Sequence, residues 1–325
     1  MTIDPLLTMG GVFAGTVVGL TGLGGAAIVT PMLLLLFNVP APVAVSTDVV
    51  SAALMKPVGA WVHLRQRTPY LKVVFALSTG SVPGVLIGTW LFTKLINNAD
   101  GETLLQQMIG TVLLVAVVVT TLRLTLPRFK KARTPGQLNL SKRRLIITGF
   151  IGLFVGTLVG LTSVGSGTLI AASLLLLFPA MLPSRLVGTD LVQAVPMLVV
   201  GAIAHAGLGD VDLTVLFSLL IGQIPGVWIG AKISSKYNGN ELRWLLLVLV
   251  GSAGLALLGA PAWIATTLSI GGVVGLGTPI LMRAYHQRHT GRIADVDPNM
   301  PMRGGGKASQ SGDPPEPPPK PPDPD

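Results

Sequence analysis

Apolar runs long enough to cross a lipid bilayer follow one another along this chain from Leu6 to about Met282. One helical crossing needs about 20 mostly apolar residues. Half of the 325 residues are hydrophobic and only 11% are charged, with a mean hydropathy of +0.68. A water-soluble domain of this size cannot carry so much apolar surface, so the chain is read as a polytopic integral membrane protein. In hydrocarbon each backbone polar group must be satisfied within the protein, which leaves helices or a closed barrel. Weak polar/apolar alternation and many Gly and Ala predict an all-α fold. The opening "MTIDPLL" has neither a basic leader nor a small-residue cleavage site, so no removable signal peptide is expected. The absence of cysteine excludes disulfides, thiolate metal sites and sulfur nucleophiles. Four histidines, two of them outside the apolar runs, leave little for a metal centre, and neither metal nor other cofactor is expected.

A duplication governs the architecture. "GLTGLGGAAIVTPMLLLLF" (19–37) returns, altered, as "GLTSVGSGTLIAASLLLLF" (160–178). Further on, an offset of 142 places lays "STDVVSAALMKPVGAWVH" (46–63) on "GTDLVQAVPMLVVGAIAH" (188–205), and "GSVPGVLIG" (80–88) on "GQIPGVWIG" (222–230). Thr47, Asp48, His63, Pro83, Gly84 and Gly88 thereby meet Thr189, Asp190, His205, Pro225, Gly226 and Gly230. Identity at such unlike side chains over so long a span indicates two homologous halves.

Positive charge orients them, because cytoplasmic loops carry an excess of Lys and Arg. Arg65, Arg67 and Lys72 crowd one loop, Arg123 to Arg144 the central linker, and Lys232, Lys236 and Arg243 a later turn. The loop equivalent to the first, "GLGDVD" (207–212), has no basic residue, so equivalent loops are expected on opposite sides. That requires an odd number of crossings per half and hence inverted-topology repeats. Residues 6–38 would make a single helix of roughly 50 Å at about 1.5 Å per residue, too long for a core of about 30 Å. Each half is therefore expected to open with a re-entrant or broken helical hairpin, turning at "TGLGG" and "TSVGSG". The resulting scheme has a first transmembrane repeat (1–125), a basic cytoplasmic linker (126–145), a second repeat (146–260), an additional transmembrane helix (261–283) and a disordered Pro-rich cytoplasmic tail (284–325). With the N-terminus outside and the C-terminus cytoplasmic, all but Lys56 and Lys94 of the 23 Lys and Arg residues fall on the inner side.

Irregular backbone at membrane depth is tolerated only where protein buries it or a wet cavity satisfies it, and helix N-termini left facing such a break favour anions. Close helix packing by small residues is the plainer account of one Gly-rich stretch. Duplication of the whole turn favours a substrate site built from Thr21, Gly22, Gly24 and Gly25 on one side and Thr162, Ser163, Gly165 and Ser166 on the other. Lys56 joins this set. A lysine in mid-helix costs about 2.5–3.5 kcal/mol on insertion scales, and reaching the interface means climbing past about two turns. Lys56 and His63 lie about 20° apart on a helical wheel, with Asp48 to one side, and the second half has Leu198 in place of the lysine. Asp48 and Asp190 admit two roles, helix N-capping and proton relay. His63 and His205 sit at span ends, where interfacial placement competes with a titrating gate.

With these residues in view, the chain resembles the sulfite exporter TauE/SafE family of membrane permeases. The likeness rests on the "GLTGLGGAAIVTPMLL" opening, the "STD" and "GTD" segments, the basic linker and the duplicated "PG…G" helices, across roughly residues 8–260. The second copy departs from the first with Ala172 for Pro31, and with Ser163 and Ser166 for Gly22 and Gly25. The resemblance implies a secondary permease of a bacterial inner membrane, moving a small sulfur-containing anion such as sulfite, thiosulfate or an organosulfonate, with an ion gradient as the driving force. The partners it implies are that anion, a coupling proton or cation and the lipid bilayer, and no nucleic acid. An enzyme would need paired carboxylates, a metal constellation or a nucleophile with its base, and the apolar body offers scattered single groups. A passive anion channel would use the same lysine and helix ends with a continuous pore. A non-transporting assembly subunit would account for the polyproline tail but not for Lys56.

Overall fold

In the computed structural model the described residues are 3–21, 25–125, 140–179, 181–208, 211–234, 240–261, 263–268 and 270–271. Their regular secondary structure is all helical, with no strand among them. The expected linker from 126 to 139, most of the additional helix and the whole Pro-rich tail lie outside the described residues.

The first half comprises α1 (Pro5–Thr21), α2 (Ala26–Leu35), α3 (Ala41–Arg65), α4 (Leu71–Ile96) and α5 (Gly101–Thr125). The second comprises α6 (Lys142–Thr162), α7 (Thr168–Leu177), α8 (Pro183–Gly207), α9 (Leu213–Ser234) and α10 (Asn240–Leu257). Six of these, α3 to α6, α8 and α9, contain a stretch long and apolar enough to cross a membrane. The starts are written locally. Asp4 Oδ1 accepts from the Leu6 and Leu7 amides at the head of α1. Asp212 Oδ1 does the same for Thr214 and Val215 at the head of α9, so one free N–H pair in each helix is capped by a carboxylate, as the dipole favours. Ser141 caps α6 through the Arg144 amide, which carries Lys142, Arg143 and Arg144 into the first helical turn rather than into a linker.

The overlong opening segment is broken as its length demands. α1 ends at Thr21 and α2 starts at Ala26. α2 and α7 have 10 residues each, about 15 Å, half of a hydrocarbon core of about 30 Å. Each half therefore opens with a helix and a half-length helix on either side of a bend.

The halves interlock. α4 packs along α6, and α1 along α9, so each half lays its first helix against the fourth helix of the other. Both seams are made of glycine. A methyl group on Gly84 would stand 2.3 Å from the Leu153 carbonyl oxygen, and one on Gly156 2.4 Å from that of Ser81. Gly15 and Gly222 make equally close approaches in the α1–α9 seam, to Gln223 and Thr8. Only a residue without Cβ allows backbones this near, so the "PGVLIG" and "PGVWIG" stretches are packing faces. Between the seams, α3 and α8 run antiparallel through the middle. The Tyr70 amide, just past α3, donates to Thr189 Oγ1 near the start of α8 at 3.0 Å. The repeat-equivalent bond runs from the Asp212 amide to Thr47 Oγ1 at 3.2 Å. Large apolar side chains such as Phe75, Trp90, Phe150 and Ile203 face outward, the surface that lipid covers.

Candidate functional site

The second bend meets the middle of α3, and α2, which follows the first bend, reaches the same place. At the second bend α6 closes with Ser163, whose amide bonds the Val159 carbonyl at 2.8 Å while φ is 62°, a left-handed value. A non-glycine residue there costs about 1–2 kcal/mol, so something must hold it. Ser163 Oγ donates to Asp48 Oδ2 of α3 at 2.8 Å, and Thr30 Oγ1 of α2 donates to the same oxygen at 2.7 Å. Gly165 follows with φ 114°, open only to glycine, and turns the chain so that Ser166 Oγ lies 2.7 Å from the Lys56 ammonium, which donates to it. Lys56 is 5% exposed and Asp48 2%. The lysine thus stays in the protein centre rather than extending to the interface. Asp190 of α8, also buried, shares the electrostatic environment of Lys56 with Asp48. A narrow cleft lined in part by Gly25, Asp48, Ser51, Met55 and Gln223 opens beside Asp48. Among the described residues no cluster of three metal-ligating side chains forms.

The centre joins residues that the sequence set apart and corrects two expectations. Asp48 and Asp190 are not N-caps. Pro40 and Leu182 precede the first turns of α3 and α8, so both aspartates lie two turns into their helices, where proline had already fixed the start. His205 is not interfacial. It is fully buried, with Nε2 donating to the Gly160 carbonyl at 2.9 Å, Nδ1 3.0 Å from Ser46 Oγ, and its ring edge-on to Phe92. His63, its repeat equivalent, is half-exposed and pairs with Thr68 Oγ1 at 2.9 Å, because Gly188 stands where the other half has Ser46. Thr162 is committed to its own helix through the Leu158 carbonyl and to the Val164 amide; the hydroxyls that reach across are those of Ser163 and Ser166. Gly22 and Gly24 lie outside the described residues, as does the side chain of Thr21.

Thr30 and Ser46 were not singled out from the sequence, nor were four further polar residues. Ser51 Oγ donates to Gln223 Oε1 at 2.6 Å, and Ser81 Oγ to Gln193 Oε1 at 3.4 Å. In the repeat alignment Ser51 is the counterpart of Gln193, and Ser81 of Gln223. Each contact therefore mirrors the other with donor and acceptor exchanged, a complementarity visible only once the two copies are compared position by position.

Membrane-length apolar helices wrapped around a buried lysine, two buried aspartates and two broken hairpins define a polytopic helical membrane protein with a polar centre. The model of the family described as Sulfite exporter TauE/SafE matches residues 7–257, and the chain belongs to that family of membrane transporters. It is 35% identical over 249 residues to the probable membrane transporter protein YjnA of Bacillus subtilis, covering 76% of this chain and 97% of the relative. The probable membrane transporter protein YdhB of the same organism is 27% identical over 244 residues, 75% of this chain and 96% of its own. A probable membrane transporter protein of Xylella fastidiosa is 24% identical over 249 residues, 74% and 89% of the two chains. No solved structure matches the chain. It is a multi-pass membrane transporter rather than an enzyme.

Proposed function

We propose that this transporter is a secondary permease for a small sulfur-containing anion, such as sulfite, thiosulfate or an organosulfonate, and that Lys56 and the two bends form its binding centre. The observation that carries the reading is the Lys56 ammonium, buried in α3 and donating to Ser166 of the opposite bend. A buried cation is costly in an apolar body, and just past Ser166 α7 starts at Thr168 behind a Gly167 cap that lacks a side-chain hydrogen bond. A cation and a helix N-terminus facing one break suit an anion. The family description supplies the sulfur chemistry. The driving force is an ion gradient, and the chain sits in a bacterial inner membrane, N-terminus outside and C-terminus cytoplasmic. The antiparallel course of the equivalent helices α3 and α8 supports inverted insertion of the two halves, in keeping with the distribution of Lys and Arg.

The test is a thermal-shift panel of sulfite, thiosulfate, short organosulfonates and carboxylates on detergent-purified protein. A ligand at 100 times its Kd stabilises by about 2.7 kcal/mol. At least one sulfur anion should raise the melting temperature of the wild type and leave Lys56→Leu unmoved, leucine being what the second half carries at this position. Undiminished anion flux through Lys56→Leu in vesicles removes the lysine from the site.

A further inference from the structure

The centre contains two carboxylates and one ammonium. With all three charged it is net negative and repels the anion it is read as binding, the more strongly because a buried site has a low effective dielectric. One carboxyl has to be neutral when the anion is present, and the surroundings of the two differ. Asp48 accepts two hydroxyl hydrogen bonds on a single oxygen, from Thr30 and Ser163. The repeat equivalents of those two donors are Ala171 and Gly22, which have no hydroxyl to give. Asp190 receives from Gln193 Nε2 alone among the described side chains, at 3.5 Å, and Gln193 is itself held at a long 3.4 Å by Ser81. The helices packed on α8 are α3, α4 and α7. α3 carries Lys56, which acts electrostatically on Asp190, and Asp48; α4 contributes the Ser81 hydroxyl to Gln193; the α7 sequence has no titratable residue. On α8 itself Arg185 is turned away, stacked over the Tyr70 ring at 4.8 Å. A buried carboxylate that lacks donors is stable only when neutral or directly paired.

We propose that Asp190 carries the coupling proton while Asp48, held charged by the Thr30 and Ser163 hydroxyls, offsets the Lys56 ammonium, so that proton and anion occupy the centre together and the permease is a proton–anion symporter. This rests on the permease reading above and names its coupling ion. The step is a simple protonation: an O–H bond forms on the Asp190 carboxylate from a water-borne proton on one side, and the proton returns to water on the other. By linkage, protonation and anion binding strengthen one another equally.

Two measurements decide it. The first needs no ligand. Infrared spectra of the full-length protein in lipid at neutral pH should show a protonated-carboxyl carbonyl band that Asp190→Asn removes and Asp48→Asn keeps; a band missing from the wild type, or lost in Asp48→Asn instead, overturns the assignment. The second uses proteoliposomes with thiosulfate and an internal pH dye. An inward acid gradient of one pH unit sustains about tenfold accumulation per coupled proton, since 1.36 kcal/mol is a factor of ten. The wild type should reach that level with matching proton entry, Asp190→Glu should retain it, and Asp190→Asn should only equilibrate thiosulfate without moving protons. Accumulation driven by sodium at equal pH on both sides, or proton entry surviving in Asp190→Asn, refutes the proposal. A wild type that transports none of the sulfur anions defeats the permease reading, and the infrared result still decides the state of Asp190.

Discussion

Replacing Gly84 by alanine tests the seam that holds the two halves together. The added methyl carbon would stand 2.3 Å from the Leu153 carbonyl oxygen, whereas ordinary contact begins at 3.4 Å, so α4 and α6 have to part by roughly 1 Å. The obstacle is helix backbone, which has no rotamer to change. Separation also propagates, because Gly80, Gly88, Gly152, Gly156 and Gly160 make the same close approach. Overpacking costs about 1–3 kcal/mol, and a gap of 0.5–1 Å forfeits a quarter to a half of each dispersion well along the seam, which places this substitution near the upper end. Alanine returns about 1 kcal/mol of helix propensity, leaving a net loss of about 2 kcal/mol. Gly207→Ala is the control, since nothing lies within 4 Å of its added methyl. Thermal unfolding in detergent, followed by size-exclusion fluorescence, should show Gly84→Ala melting well below wild type and Gly207→Ala at or above it. Equal melting of Gly84→Ala and wild type would mean that the helices are not in backbone contact.

Two further outcomes separate structural roles at the centre and across the membrane. Ser163→Gly loses a hydrogen bond to a charged group, about 1.5–3 kcal/mol, but recovers about 1–2 kcal/mol of left-handed strain, while Ser163→Ala loses the bond and keeps the strain; stability should fall in the order wild type, Gly, Ala, and a reversal of the last two excludes this account of the bend. The chain has no cysteine, so the single variants Gln66→Cys and Gly207→Cys can be labelled cleanly in intact cells, and inverted insertion requires a membrane-impermeant thiol reagent to reach only Gly207→Cys; modification of both from outside contradicts it.

Hydropathy made the helical class and the broken opening segment legible, because both follow from length against bilayer thickness, and recurring residue identities made the two halves legible. The burial of Lys56 was legible as well, since snorkelling to the interface would have meant climbing past about two helical turns. Its partner was not. Ser166 belongs to the other half, and a contact between residues 110 positions apart leaves no local trace. The aspartates misled because Ser-Thr-Asp is a capping sequence in isolation, while the prolines upstream had already started both helices. His205 misled for a similar reason: proximity to a helix end suggests an interface only for a side chain that faces outward, and the His205 ring is turned inward onto Ser46, Gly160 and Phe92.

The reciprocal packing of first and fourth helices also sets a schedule for biogenesis. α1 is made well before α9, and the glycine-lined face it presents finds its match only when α9, beginning at Leu213, leaves the ribosome. At about 5–20 residues per second the interval is roughly 10–40 s. Throughout it the N-terminal helix has to wait in the bilayer without its mate, so the nascent chain depends on lipid or an insertion factor to keep that face from pairing with the wrong neighbour.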